Sequence, residues 1–262
     1  MQRAFGLVGI PVALPGGVGT SVRIGDAVLK PVDDVQEATW SAELLSGVPE
    51  QGFRIPRPLR AGDGSWVVDG WCGATLVEGQ PGPAGRWEEL LAAARAFHQA
   101  LRHEARPGFL EHRRHRWALA DRVAWGEASA DPVRETTPLL DELLAHLRAP
   151  TTVGVSQLVH GDLSGNVLFA PGLPPAIIDF SPYWRPPGYA TAIVAVDGVL
   201  WFGAGKALLQ RAADAAGCLL LVRALVFRLI ALNERSRSER LVLDELPLFL
   251  SAAAMIENLD VP

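Results

Sequence analysis

The apolar positions of this chain change their spacing part-way along it. From Phe5 to Val77 they come in short runs, over residues 7–14, 21–24, 27–32, 66–68 and 71–77, punctuated by glycine. Short apolar runs between turn residues predict β-strands. One stretch departs from that pattern. Asp33-Asp34 offers an N-cap, residues 35–45 have helical apolar spacing, and Ser46-Gly47 with Pro49 ends the helix. Three strands, a helix and two strands in that order predict a small α+β unit with an antiparallel sheet.

Residues 78–83, Glu-Gly-Gln-Pro-Gly-Pro, form the clearest break, because such a segment is not expected to continue a sheet. The boundary between two lobes is expected there, dividing 1–79 from 80–262. Beyond it the spacing becomes helical over 87–102, 112–125, 136–147, 189–202, 206–232 and 241–258. Two short apolar strands, 157–159 and 167–169, enclose the polar loop His160-Gly161-Asp162-Leu163-Ser164-Gly165-Asn166, and a third, 176–178, ends at Asp179-Phe180.

Composition narrows the class. The 262 residues are 49% apolar and 20% charged, a globular balance with enough chain for a full core. A formal charge of -5 argues against a nucleic-acid partner. Two cysteines are too few for a disulfide framework, so reduced thiols and a cytoplasmic location are expected. The N-terminal apolar stretch is broken by Gly6, Gly9 and Pro11 and reads as a strand rather than a signal peptide. The run 219–232 is too short, and with Arg223 and Arg228 too charged, to span a bilayer, so no membrane partner is expected. Among 24 basic residues only Lys30 and Lys206 are lysines.

Lys30 ends the apolar run 27–29, eleven residues after Gly19. The turn Gly16-Gly17-Val18-Gly19-Thr20 before it allows close approach of backbone N–H groups to phosphate oxygens, although alone it equally suits a hairpin turn. A phosphate-facing lysine needs a carboxylate to hold it. Glu43 is the better candidate by spacing, and Glu37 reads as part of a solvated helix face. Asp162, Asn166 and Asp179 are the residue types phosphoryl transfer requires: a carboxylate to orient the acceptor hydroxyl and oxygen ligands for Mg²⁺. His160 reads as a structural residue of the loop. His98 and His103 read as surface or core histidines, and His112 and His115 as part of a basic helix face.

Lys30, Glu43, His160-Gly161-Asp162 with Asn166, and Asp179-Phe180, in this order, resemble the aminoglycoside phosphotransferase and choline kinase family, over residues 16 to about 197. The resemblance implies an α+β, two-lobed, protein-kinase-like fold: a small antiparallel-sheet N-lobe with one helix, and a larger, mainly helical C-lobe. It implies an ATP- and Mg²⁺-dependent small-molecule kinase. The lobe 1–79 would bind nucleotide, and the lobe 80–262 would carry catalysis and the small-molecule acceptor. Asp162 would be the catalytic base, Asn166 and Asp179 the Mg²⁺ ligands, and Lys30 with Glu43 the phosphate clamp beside Gly16, Gly17, Gly19 and Thr20. Leu76, Val77 and Glu78 would meet adenine, and Asp197 would brace the catalytic loop.

Three features depart from the family's pattern. Only three residues separate Asp162 from Asn166 where four are usual, Ser181 replaces a common glycine, and the glycine turn lies close to Lys30. The shortened loop and Ser181 motivate the rival expectation of a nucleotide-binding pseudokinase acting as sensor or scaffold, and the compact spacing implies a different grip on the phosphates. For the acceptor, the arginines of 219–232 argue against a polycation. The segment 182–189 suits either ring stacking and anion holding or a rigid packing loop.

Overall fold

The computed structural model describes residues 1–14, 19–148, 153–239 (237–239 as backbone only) and 244–260. Its first sheet joins β1 (Val12–Ala13), β2 (Val22–Ile24), β3 (Ala27–Pro31), β4 (Pro58–Leu59), β5 (Val67–Val68) and β6 (Trp71–Thr75), in the order β1-β2-β3-β6-β4 with β5 also on β6, all antiparallel. The β5–β6 hairpin turns at Asp69 (φ 51°) and Gly70 (φ 74°), the double positive-φ turn for which Asp-Gly is suited. Along β3, Ala27 and Leu29 are buried, Leu29 in the small core with Ile24, Phe5 and Ala61, which puts Lys30 on the opposite face.

Helix α1 (Val35–Gly47) starts where the sequence predicts, with the Asp34 carboxylate accepting from the Glu37 N–H at 3.0 Å. The strand expected over 7–14 shrinks to β1. Gly6 and Gly9 take positive φ and Pro11 lacks a donor, so residues 1–7 fold into turns instead. The two-residue strand β4 has no apolar run to announce it.

The break at 78–83 leaves the first sheet but does not end sheet structure, contrary to expectation. Gln80–Pro81 form β7, an edge strand on β9 (Val167–Phe169), whose other neighbour is β10 (Ala176–Ile177). An edge tolerates the missing proline N–H. Gly79, at φ 146°, makes the crossing, and a Cβ there would lie 2.8 Å from the Leu168 Cβ.

The helical part holds α2 (Trp87–Ala100), α3 (Arg116–Ala124), α4 (Thr137–His146), α5 (Pro187–Trp201), α6 (Lys206–Ala216), α7 (Cys218–Glu239) and α8 (Leu246–Glu257). The helix expected from 112 starts only at Arg116, where the His115 ring accepts from the Ala118 N–H. The helix expected over 206–232 is two. Gly217, at φ 87°, closes α6 with its N–H on the Ala213 carbonyl. Residues 241–243 of the last expected helix lie outside the described residues. No single described helix is long and apolar enough to cross a membrane. One large core runs through these helices and takes in Val48, Phe53 and Ile55 from the connection after α1.

Gly188 lets α5 approach the α6–α7 corner: a Cβ there would sit 2.7 Å from the Ala216 Cβ. Gly188→Ala should therefore cost about 1–3 kcal/mol, measured as a lower urea midpoint at unchanged m-value.

Candidate active site

Strand β8 (Gln157–His160) pairs antiparallel with β11 (Pro182–Arg185), and between them in sequence lie the loop 161–166 and the turn at Asp179. His160 joins the two. Its Nδ1 accepts from the Asp162 N–H at 3.1 Å, so Nε2 carries the proton and donates to the Ile178 carbonyl at 3.1 Å. The Ile178 N–H in turn donates to the Asn166 carbonyl at 2.9 Å, and the Gly161 N–H to the Ser181 carbonyl at 3.0 Å. The polar loop 160–166 and the acidic turn are thus one cross-linked unit. Asp179 sits at φ 48°, a conformation that aspartate tolerates better than most residues. Phe180 packs edge-on to Phe97 and His160. Gly161 lies under the Tyr183 ring, where a Cβ would meet the ring at 2.3 Å.

Asp162 is 48% exposed and held from one side. Its Oδ1 accepts from Arg228 Nη2 at 2.8 Å, its Oδ2 from Asn166 Nδ2 at 3.2 Å, and its backbone carbonyl from the same amide at 2.7 Å. Arg228, on α7 and 3% exposed, also donates twice to Asp197 on α5, at 2.7 and 2.6 Å. Burial alone would lower the guanidinium pKa; Asp197 and then Asp162 outweigh it and raise it, so the side chain stays cationic. Trp117, Trp201 and Phe227 surround the guanidinium at 5.3, 5.6 and 5.0 Å.

Lys30 Nζ donates to Asp179 Oδ1 at 2.7 Å, with Cys72 as its cross-strand neighbour. Burial opposes the ammonium charge, but Asp179 prevails and the Lys30 pKa rises. Glu43 does not take part: it is exposed on α1, and its carboxylate has no hydrogen bond or ion pair among the described residues, the Ser46 hydroxyl bonding only its backbone carbonyl. Glu37 is the α1 carboxylate that reaches inward, close enough to stabilise the Lys30 charge. It is not on a solvated face, because Arg113 grips it through both Nε and Nη2 while donating to the Pro182 carbonyl at 2.7 Å. Spacing from Lys30 misleads here, since the two glutamates occupy different faces of one helix.

Gly19 and Thr20 lie exposed between β1 and β2, whereas Gly16 and Gly17 lie outside the described residues. At the junction of the lobes the Leu76 N–H donates to the Asp26 carbonyl at 2.7 Å and the Glu78 carbonyl accepts from Arg54 at 2.9 Å. The segment 182–189 is β11 and the start of α5, not a loop. Arg185 is consumed by Asp121 and Glu127 over the Trp125 ring, which leaves no cation for an anionic ligand there.

The sequence reading missed Arg228, Arg113 and the role of His98, whose Nε2 accepts from the His160 N–H at 3.0 Å. One signal was available for Arg228: an arginine inside an apolar run is buried only when paired.

The family model of the phosphotransferase enzyme family (APH) matches residues 18–224, most of the chain. The chain belongs to this family. Solved structures share the fold of this phosphotransferase. Spectinomycin phosphotransferase APH(9)-Ia, in complex with ADP and spectinomycin, aligns at a TM-score of 0.59 with 14% identity over 98% of this chain and 94% of its own. Aminoglycoside phosphotransferase APH(4)-Ia aligns at 0.58 with 17% identity over 98% and 96%. A microcompartment-associated aminopropanol kinase aligns at 0.60 with 18% identity over 94% and 90%. No curated protein matches the chain.

Two predictions follow from the buried charges and rings. Arg228→Leu strands the buried Asp197 carboxylate and should cost about 3–5 kcal/mol of stability; the double variant Arg228→Leu/Asp197→Leu should recover much of that in denaturant titrations. Burial pushes the His98 pKa down to about 3, with His160 beside it adding to the shift, and burial lowers the His160 pKa too. Both rings fold neutral, whereas an unfolded histidine takes up a proton near pH 6.5. Their stabilisation is therefore complete above pH 6.5 and lost on acidification, for His98 as pH falls towards 3 and for His160 as pH falls through its own lowered pKa. Stability should drop by up to about 1.4 kcal/mol per pH unit for each ring on acidification, and His98→Gln should make that slope shallower.

Proposed function

We propose that this phosphotransferase is an ATP- and magnesium-dependent kinase that transfers the γ-phosphoryl group to a hydroxyl of a small molecule. The observation that carries the proposal is an unbroken chain of contacts from Lys30 to Asp179, through Ile178 to Asn166, and from Asn166 to Asp162. It gathers a cation for phosphate, oxygen ligands for a metal ion and a half-exposed carboxylate in one cleft. The ADP complex of the spectinomycin enzyme supports the nucleotide part of the reading.

The residues present fit magnesium. Asn166 uses its Nδ2 as a donor to Asp162, so its Oδ1 is left, with the Asp179 carboxylate, as a hard oxygen donor of the kind Mg²⁺ takes alongside phosphate oxygens. The metal would neutralise charge on the transferred phosphoryl group. Lys30 passes from Asp179 to the phosphates when nucleotide arrives. Arg228 fixes one oxygen of Asp162, and the exposed remainder of the carboxylate orients the acceptor hydroxyl and takes its proton.

The lobes divide at Gly79, with nucleotide held by 1–79 and acceptor by 80–262. The Val77 N–H and C=O have no hydrogen bond among the described residues, while the Leu76 N–H and Glu78 C=O are already engaged. A purine edge is therefore read chiefly at Val77. Because Arg228 offsets the carboxylates at the catalytic position, the acceptor is a molecule of low positive charge rather than a polycation.

Asp162→Ala should lower ADP formation by about 10²–10⁴-fold while the Mg-ATP-induced rise in melting temperature persists. Asp179→Ala should lose that rise. Full turnover by Asp162→Ala would overturn the mechanism, and the absence of turnover by the wild type across hydroxylated acceptors, with the melting rise intact, would point to a nucleotide sensor.

A further inference from the structure

Among the described residues, the large apolar side chains left exposed are aliphatic with one exception, Trp201 at the C-terminal end of α5, which is 42% exposed. Its place is fixed. The indole Nε1 donates to one oxygen of Glu245 at 3.0 Å, Arg235 holds the other oxygen at 3.0 Å, and Phe249 of α8 packs against the ring edge-on. A tryptophan free to turn in water would be an ordinary surface residue, whereas one clamped at its polar tip with its ring still open is a preformed stacking surface.

That surface adjoins Asp162. The ring centre of Trp201 is 5.6 Å from the Arg228 guanidinium, and the same guanidinium donates to Asp162 Oδ1 at 2.8 Å. Trp117, partly buried, stands 5.3 Å from it. Arg228 is itself only 3% exposed, so a molecule lying at Asp162 meets indole next rather than free charge. Glu245 is already committed to Arg235 and to the indole N–H. A sugar or a polyamine laid on this wall would therefore lose water without gaining partners for its hydroxyls or ammonium groups, whereas a flat apolar ring would lose nothing. Resting on the kinase reading of the cleft, we propose that the acceptor is an alcohol whose body is a flat apolar ring, stacked on Trp201 with its hydroxyl at Asp162, and that Trp201 sets this specificity.

The test uses the full chain, with and without Mg-ADP, and 2-phenylethanol as probe, with 2-cyclohexylethanol and myo-inositol as comparisons. In the wild type 2-phenylethanol should shift one indole N–H resonance, the one missing in Trp201→Phe, and myo-inositol should shift none. By ligand-observed NMR, 2-cyclohexylethanol should bind about threefold or more weakly than 2-phenylethanol. Trp201→Leu keeps apolar bulk but no flat face and should weaken 2-phenylethanol about tenfold, while Trp201→Phe should hold its affinity within about threefold. The Mg-ATP melting rise should persist in both variants, which separates lost stacking from lost folding. Unchanged affinity in Trp201→Leu, equal binding of the three probes, or no response in the wild type at tens of millimolar with the melting rise intact would overturn the ring inference alone. Absence of the Mg-ATP melting rise in the wild type would overturn the kinase reading, and the inference with it.

Discussion

A guanidinium cannot be taken out of water unless its charge is met, and Arg228 is met on two sides at once. Asp197 satisfies it inside the core and Asp162 at the rim. The long helix α7, the buried helix α5 and the loop 160–166 are therefore held by one cation. The geometry has a direction. Asp197 is as buried as its partner, so the strong, desolvated half of the bridge anchors Arg228 through Nε and Nη2, and Nη2 also donates to the half-exposed Asp162 carboxylate. Asp162 is positioned by the packing of the helical lobe as well as by the hydrogen bonds of its own loop.

The backbone around Ile178 supplies a second constraint. Its N–H and C=O are both committed to the loop 160–166, so Asp179 inherits its place from hydrogen bonds made by the residue before it. Neutral His160 and His98 extend that network into the core, which explains why two buried imidazoles sit beside a site full of charge. The loop, though a residue shorter than is usual in the family, still returns Asn166 to the Asp162 carbonyl.

Much of this was legible in the chain. Short apolar runs, an Asp-capped helix and the later helical spacing mark the elements in their order. The polar stretches closing the strands that end at His160 and Ile178 mark the candidate site. What stayed hidden depended on contacts across the fold. The choice between Glu37 and Glu43 turns on which face of α1 meets Arg113, a residue seventy-six positions away from Glu37. The break at Gly217 lay inside a continuous apolar pattern, and residues 182–185 form a strand only because β8 is there to pair with. Apolar periodicity reports burial, and it is silent about which partner does the burying.

The grip of Arg113 has a mechanical consequence for the small lobe. The same side chain holds Glu37 of α1 and the Pro182 carbonyl of β11, Trp40 of α1 stacks edge-on against Phe109, and Arg54 adds a bridge to Ala176. Helix α1 and the segment after it are thereby moored to the large lobe, while β1, β2 and β3 lean on a small core of their own. The sheet itself reaches the large lobe through the ion pair of Lys30 with Asp179, two half-exposed side chains. Drawing Lys30 away from Asp179 would release that contact while leaving the Arg113 grip on α1 in place.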